Sequence, residues 1–309
     1  MILSNIIRKL LSFLSFWYQN KIISPKKDEK IRSYISKKIK LSKTLKKNLK
    51  KTHQEFNEEI LDLILNNNLK NFLRKNFIQK MFFLHNRFFV YKELKILQKS
   101  KKWNFYKNLL KEDDIGNPIR YFLYPYSSGN LINHVYHLNI FENELKINLK
   151  KDIKKVFEFG GGYGCMARIF SKINSNVKYT CFDTHNVNLL QYYYLKHNNL
   201  DVGFETKNTY FLTSKFHKIK NDSNLFIANW SLSETPLKFR KKFNKILLKN
   251  KFILICFQEK FEDIDNLKYF QTLRQKILNK FDVKIIKNKF YKGNFLFKQN
   301  HYFFIGKKY

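Results

Sequence analysis

Val156-Phe157-Glu158-Phe159-Gly160-Gly161-Gly162-Tyr163-Gly164 is the stretch whose reading decides the fold. A short apolar run closes around the acidic Glu158, and four of the five positions from 160 to 164 are glycine. Ala167, Ile169 and Phe170 follow at helical spacing. The segment reads as a buried strand, a tight turn and the first turn of a helix. Glycine suits such a turn because the backbone can take positive φ and a ligand can come closer than a Cβ permits. The helix start behind it offers N–H groups to a polar ligand. In open α/β sheets ligands sit beyond the carboxyl ends of the strands, where this turn falls. The stretch predicts a nucleotide-type cofactor site.

Spacing narrows the cofactor. The dinucleotide fingerprint G-x-G-x-x-G, counted from Gly160 and Gly162, requires glycine at the position of Cys165. Here the third glycine comes one position early, at Gly164, and Glu158 stands just before the loop. That E-x-G-x-G-x-G form resembles the first motif of class I S-adenosylmethionine-dependent methyltransferases. Val177–Phe182 reads as a second strand, about one βαβ unit later, and runs into Asp183. A carboxylate there can accept two hydrogen bonds from ribose hydroxyls, each worth roughly 1.5–3 kcal/mol. The competing structural reading is a glycine turn that merely packs two elements, with Asp183 as a helix N-cap.

Hydrophobic residues make up 44% of the 309, enough for a sizeable core in one large domain or two ordinary ones. Cys165, Cys181 and Cys256 lie in or beside apolar runs without metal-ligand spacing. They read as buried thiols of a reducing, cytoplasmic compartment. No stretch reaches the roughly 18 uninterrupted apolar residues of a membrane span. The formal charge of +36 invites a nucleic-acid or anionic-membrane partner. Arginine, the preferred group for bidentate phosphate recognition, is scarce. Lysine instead accompanies abundant Asn, Ile, Phe and Tyr, all with A/T-rich codons, so the charge fits a low-GC coding bias. The reading disfavours nucleic acid.

Residues 2–18 place Leu3, Ile6, Ile7, Leu10, Leu14 and Trp17 at helical spacing with Arg8 and Lys9 on the flank. Such a helix, within residues 1–20, can lie at the inner face of the cytoplasmic membrane or dock on its own domain. It makes a poor signal peptide, because no positive charge precedes the apolar run. Lysine-studded residues 22–51 read as a solvated face or linker. Thr52-His53-Gln54-Glu55 fits a capping box before the stripe Phe56, Ile60, Leu61, Ile64 and Leu65. Helix is expected to continue from Leu69 to Lys99. Asp113–Pro118 is a turn cluster, which sets a helical N-terminal region at 1–115 (substrate cover or partner contact) and a second domain at 116–309.

Ser127 or Ser128 can cap a helix running to about Leu149. On it Asn130, His134 and His137 are spaced i, i+4, i+7 and share one face. A helix is expected at Val187–His197, a loose third strand within Asp201–Phe211, and strands at Asn224–Ala228 and Phe252–Phe257. A helix at Leu267–Lys280 and a strand at Val283–Ile286 follow. A terminal hairpin of Phe290–Lys298 and His301–Ile305, turning at Gly293, closes the sheet. This is an α/β fold whose mostly parallel sheet has an antiparallel last strand, the Rossmann-like class I methyltransferase layout.

Four segments narrow the resemblance: Ser128–Phe141 (SGNLINHVYHLNIF), Glu158–Arg168 (EFGGGYGCMAR), Asp183–Leu195 (DTHNVNLLQYYYL) and Trp230–Glu234 (WSLSE). Together they are similar to the sugar O-methyltransferases of bacterial surface-polysaccharide biosynthesis. His185 departs from the proline expected two residues after Asp183. The resemblance implies S-adenosylmethionine as cofactor and a sugar or glycan as substrate. Glu158, Gly160, Gly161, Gly162, Gly164 and Asp183 are then cofactor-binding, with Asn229 and Ser231 at the fourth strand's end. Glu234 is the first candidate for general base, or equally a helix-start acid, with His134 and His137 behind it. No carboxylate cluster suggests a metal. The alternatives are an RNA methyltransferase, which the charge favours, and a non-catalytic membrane-associated scaffold.

Overall fold

The computed structural model describes residues 10, 24–40, 51–66, 69–82, 84, 87–219, 222–290 and 299–309, with the side chains of Lys40 and of 51–54 left out. The amphipathic helix read at 2–18, the side chains of Thr52, His53 and Gln54 in the capping box, and the Gly293 turn lie outside the described residues. Helices α1 (Pro25–Lys40), α2 (Lys51–Leu65), α3 (Asn76–Met81), α4 (Phe88–Lys99) and α5 (Trp103–Leu109) come first. The hairpin β1 (Arg120–Tyr121) and β2 (Tyr124–Ser128) leads to α6 (Gly129–Leu145) and the short α7 (Leu149–Asp152). Then follow β3 (Lys155–Phe159), α8 (Cys165–Ile173), β4 (Lys178–Phe182), α9 (His185–His197), β5 (Val202–Gly203), β6 (Tyr210–Thr213) and β7 (Leu225–Asn229). The last elements are α10 (Leu237–Leu247), β8 (Phe252–Gln258), the small hairpin β9 (Lys260–Phe261) and β10 (Ile264–Asp265), α11 (Asn266–Ile277), β11 (Phe281–Lys287) and β12 (His301–Lys308). Among the described residues no helix is long and apolar enough to cross a membrane.

Two compact units interleave along the chain. One is Met1–His137 with Gly162–Lys172 and Thr184–Gly203; the other is Leu138–Gly161 with Ile173–Asp183 and Phe204–Tyr309. In the second unit the strands run in the order β11-β12-β8-β7-β3-β4-β6. β3 pairs in parallel with β4 and β7, β4 with β6, and β7 with β8. β12 runs antiparallel between β8 and β11. The chain starts the sheet at β3, builds outward through β4 and β6, then returns to lay β7 on the other side of β3. Strand order therefore reverses between β3 and β7, and the carboxyl ends of those two strands flank the crevice where such sheets bind ligands.

β8 is buried at all seven positions, which is why it reads as an unbroken apolar run and not an alternation. Phe243, Ile246 and Leu247 of α10 pack into the same core as Phe157, Phe159, Phe182 and Phe226. Lys238, Lys241, Lys242 and Lys245 of that helix stay exposed, so much of its charge is a solvated face. β12 pairs on one side with β11, in register from Phe281 with Lys308 to Lys287 with Tyr302. The expected first arm of the terminal hairpin, Phe290–Lys298, lies outside the described residues apart from Phe290. At the start of β11 buried Phe281 and Val283 alternate with exposed Asp282 and Lys284, the pattern of a strand with one face on the core.

In the first unit the helix expected over Leu69–Lys99 is broken. Leu69–Arg74 is a 3-10 segment, α3 is short, and α4 begins after the extended Arg87. The Leu73 N–H donates to the Gly116 carbonyl (2.9 Å), so tertiary pairing displaces helical pairing there. The Asp113–Pro118 turn forms as read, with Gly116 and Asn117 at φ +78° and +58°. Ser128 Oγ accepts from the Leu131 N–H (3.1 Å) and caps α6. That helix stops at Leu145, short of the expected Leu149, because Lys146 turns left-handed (φ +51°) and Ile147 N–H reaches back to the Glu142 carbonyl (3.1 Å). The loose third strand resolves into the two-residue β5 and the four-residue β6.

Candidate active site

The site builds from the ends of β3, β4 and β7. Glu158 is buried, and its Oε2 accepts a hydrogen bond from the Tyr179 hydroxyl at 2.7 Å. Burial pushes its carboxyl up to about 7; the Tyr179 bond opposes this and the nearby Asp183 charge adds to it. Gly160 follows at φ +70°, and a Cβ on it would lie 2.2 Å from Ser231 Cβ. A Cβ on Gly161 would meet Cys181 Sγ at 2.5 Å and Glu158 Oε2 at 2.6 Å. Ser231 Oγ donates to the Phe159 carbonyl, and Gly160 N–H to the Phe182 carbonyl (2.8 Å). Glu158, Gly160, Gly161, Asp183 and Ser231 thus form one constellation, with Glu158 bracing the turn. Asp183 is half-buried at the end of β4.

Asn229, the last residue of β7, is the least satisfied group in this constellation. Its Oδ1 and Nδ2 are both buried, and neither has a hydrogen-bond partner among the described residues. Leaving a buried polar group unpaired costs about 1–3 kcal/mol, so such an amide calls for a ligand. Next to it Trp230 takes φ +60°, a strained conformation for a bulky residue. Its Nε1–H donates to His301 Nδ1 at 3.0 Å, which leaves the ring's own proton on Nε2. Burial holds His301 down at about 4, so the ring is neutral at physiological pH.

Glu234 ends the 3-10 turn Leu232–Glu234 and accepts from Gln258 Nε2 at 3.2 Å. Burial raises it to about 7, against the lowering effect of that bond. Ser233 Oγ donates to Gln258 Oε1 (2.8 Å), so Gln258 ties the loop to the end of β8. Buried Arg240 holds the loop from below: Nε on Thr235 O (2.7 Å), a guanidinium N–H on Ser233 O (2.6 Å), and the third on Asn266 Oδ1 (2.7 Å).

The remaining predicted residues belong to the helical unit. Gly162 and Gly164 continue the turn at φ +55° and +99°, and the Gly162 carbonyl accepts from Gln191 Nε2 (2.9 Å) on α9. His134 and His137 do share a face of α6, with ring centroids 6.1 Å apart. His134 Nδ1 bonds the Asn130 carbonyl (3.0 Å), and burial holds it at about 4. His137 is fully buried. Sequence reasoning missed Trp230, Gln258, Arg240 and His301. One signal existed for His301: an antiparallel last strand starts where the parallel strands end.

The sheet order and the switch point define the fold class, a Rossmann-like α/β sheet with an antiparallel strand inserted near one edge. An rRNA methylase from Streptococcus thermophilus is 12% identical over 52% of this chain and 91% of its own, with a TM-score of 0.39. The methyltransferase domain of a bacterial CtHen1-C is 14% identical over 57% of this chain and 97% of its own (TM-score 0.41). A Thermoplasma acidophilum protein is 13% identical over 58% and 90%, at 0.40. No protein-family model matches the chain, and neither does a curated protein. The strand order, not these likenesses, carries the fold.

Proposed function

We propose that the chain is an S-adenosylmethionine-dependent O-methyltransferase acting on a sugar hydroxyl. The observation that carries a cofactor site is the switch point itself, where a turn closed to side chains adjoins an acid-ended strand and the Asn229 amide, which has no hydrogen-bond partner among the described residues. The residues present fit the group. Asp183 offers a carboxylate to ribose hydroxyls, Asn229 a donor and an acceptor, and Glu158 supports the turn that Gly162 and Gly164 continue in sequence. When bound, the cofactor supplies a methyl group made electrophilic by its sulfonium. Glu234 takes the acceptor hydroxyl's proton, and its carboxyl near 7 suits a base working at neutral pH. The sugar assignment rests on the four resembling segments, with residues 1–115 as substrate cover or partner contact.

Wild-type protein is expected to bind S-adenosylmethionine in calorimetry, and Asp183→Ala to weaken binding about 10- to 100-fold, as loss of a charged hydrogen bond implies. No heat of binding from the wild type rejects the proposal. The base assignment has its own signature. Glu234 must be ionised to accept a proton, so turnover should rise as pH passes through about 7. Glu234→Gln should keep cofactor affinity, lose roughly 10²–10⁴-fold in turnover and lose that rising limb. Unchanged turnover would discard the role.

The charge of +36 favours RNA as the second reading of the acceptor. RNA binding that falls steeply with salt would move the assignment there.

A further inference from the structure

We infer that Gln258 and Ser233 are positioning residues for the proton that Glu234 takes up. When Glu234 is protonated, the Gln258 amide turns over and the Ser233 hydroxyl swings onto the Trp230 carbonyl. Glu234 acts here as the base of the proposed transfer, a reading on which this inference rests. Ser233 Oγ lies 2.5 Å from the Trp230 carbonyl oxygen and 2.8 Å from one end of the Gln258 amide, whose other end is 3.2 Å from Glu234 Oε1. A hydroxyl has one proton and a carbonyl has none, so Ser233 can donate to only one of these neighbours. Both Ser233 and Gln258 are buried, where a missing proton is costly.

With Glu234 ionised, the amide points Nε2 at the carboxylate and Oε1 at Ser233. The Ser233 proton then serves Oε1, and at Trp230 two oxygens 2.5 Å apart face each other with no proton between them. With Glu234 protonated, every contact closes. Glu234 O–H donates to Oε1, Nε2 to Ser233 Oγ, and Ser233 O–H to the Trp230 carbonyl. One proton arrives, from the acceptor hydroxyl, and the others only rotate. The Asn266 amide holds the Gln258 backbone carbonyl (3.0 Å), so the turnover is confined to the side chain. Three bonds replace two, which makes the carboxylate a stronger base. Burial raises Glu234 to about 7, and Gln258 opposes that only while it donates. Among the described residues the charged groups on neighbouring elements are engaged elsewhere. Arg240 of α10 bonds the Ser233 and Thr235 carbonyls, and Glu259 of the β8 end accepts from Asn300 Nδ2 (3.0 Å) and the Tyr302 hydroxyl (3.2 Å). His301 of β12, paired with Gln258 across the sheet, is held down at about 4 and neutral.

In the full chain without ligands, the carboxyl C=O stretch of Glu234 in pH-difference infrared spectra reads the proton directly, identified by its loss in Glu234→Gln. Ser233→Ala should move the midpoint of that band toward acid by about one pH unit, the roughly tenfold change in proton affinity that one lost hydrogen bond implies. A midpoint that stays in place, as burial alone predicts, or that moves toward alkali overturns the inference. The wild type gives a second test that needs no folded Ser233→Ala. The Nε2 protons of Gln258, identified by their loss in Gln258→Leu, should show a nuclear Overhauser effect to the Ser233 β-protons below the midpoint and lose it above. An effect of the same strength at both pH values also overturns the inference. A shifted midpoint in a protein that binds no S-adenosylmethionine upholds the proton chain and rejects the enzyme reading. Cofactor binding and turnover with an unmoved midpoint reject the chain alone.

Discussion

Gly160→Ala is expected to abolish S-adenosylmethionine binding and to destabilise the sheet unit by about 2–5 kcal/mol, the sum of overpacking and left-handed strain. The new Cβ would sit 2.2 Å from Ser231 Cβ and 2.8 Å from its Oγ, at φ +70°. Neither side can retreat easily. Gly160 N–H is held by the Phe182 carbonyl, and Ser231 Oγ by the Phe159 carbonyl. The double variant Gly160→Ala/Ser231→Gly removes the atom that is struck and leaves the backbone conformation as it was. Relative to Ser231→Gly alone, which loses the bond to the Phe159 carbonyl, it should show only the roughly 1–2 kcal/mol that a left-handed non-glycine residue costs. Urea denaturation of the two single variants and the double one, with calorimetry on each, separates the two effects. A stable, cofactor-binding Gly160→Ala protein would refute the account of this turn.

The contact between Gly160 and Ser231 joins residues 71 apart in the chain, beyond the reach of any local sequence pattern. β7 and β8 were legible because strands covered on both faces carry near-continuous apolar runs, and β3 and β4 because Glu158 and Asp183 stand out near the ends of mostly apolar segments. The glycines were legible as a turn, and Gly160, Gly162 and Gly164 take the positive φ expected of them, but the side chains crowding the turn were not legible. At Gly160 and Gly161 the obstacles include Ser231, just beyond β7, and Cys181 of β4, which no local pattern reveals, together with Glu158 of β3 itself. β5 and β6 are too short to carry periodicity. The pairing of β11 with β12 was not legible, because nearness in sequence drew attention to Phe290–Lys298, while this register is set by the burial of Phe281 and Val283. Arg240 looks in sequence like one more cation on a lysine-rich helix. Only folding shows its guanidinium buried, with each of its three nitrogens hydrogen-bonded, beneath the Glu234 loop.

Glu93 gives the other large effect, and it concerns the helix that carries His134. The Glu93 side chain on α4 is fully buried, and Asn133 Nδ2 on α6 donates to both of its oxygens at 2.9 and 3.1 Å. Burial raises its pKa to about 8, with the Asn133 bond acting weakly the other way. In the unfolded chain the same group titrates near 4.5. A raised folded-state value means that the associated stability is complete below about pH 4.5 and is lost as pH climbs through about 8. Over that window the unfolded state binds fewer protons, so the loss is on the order of 3–5 kcal/mol. Glu93→Gln keeps an oxygen for Asn133 and removes the titration. Urea denaturation at pH 5 and pH 8 should therefore show wild-type stability falling relative to the variant by that amount. His134 and His301, held at about 4, and Glu158 and Glu234, raised to about 7, also titrate within or near this range. They are common to both proteins and cancel in the difference, so parallel pH profiles would mean that Glu93 is already ionised within the fold. The ionised carboxylate keeps its Asn133 bonds but is buried, so opening of α6 around Asn133, which lets water reach the charge, should grow easier first. Hydrogen exchange along Leu131–Val135 that quickens between pH 7 and 9 in the wild type, beyond the intrinsic rate change and absent from Glu93→Gln, would locate the loss there.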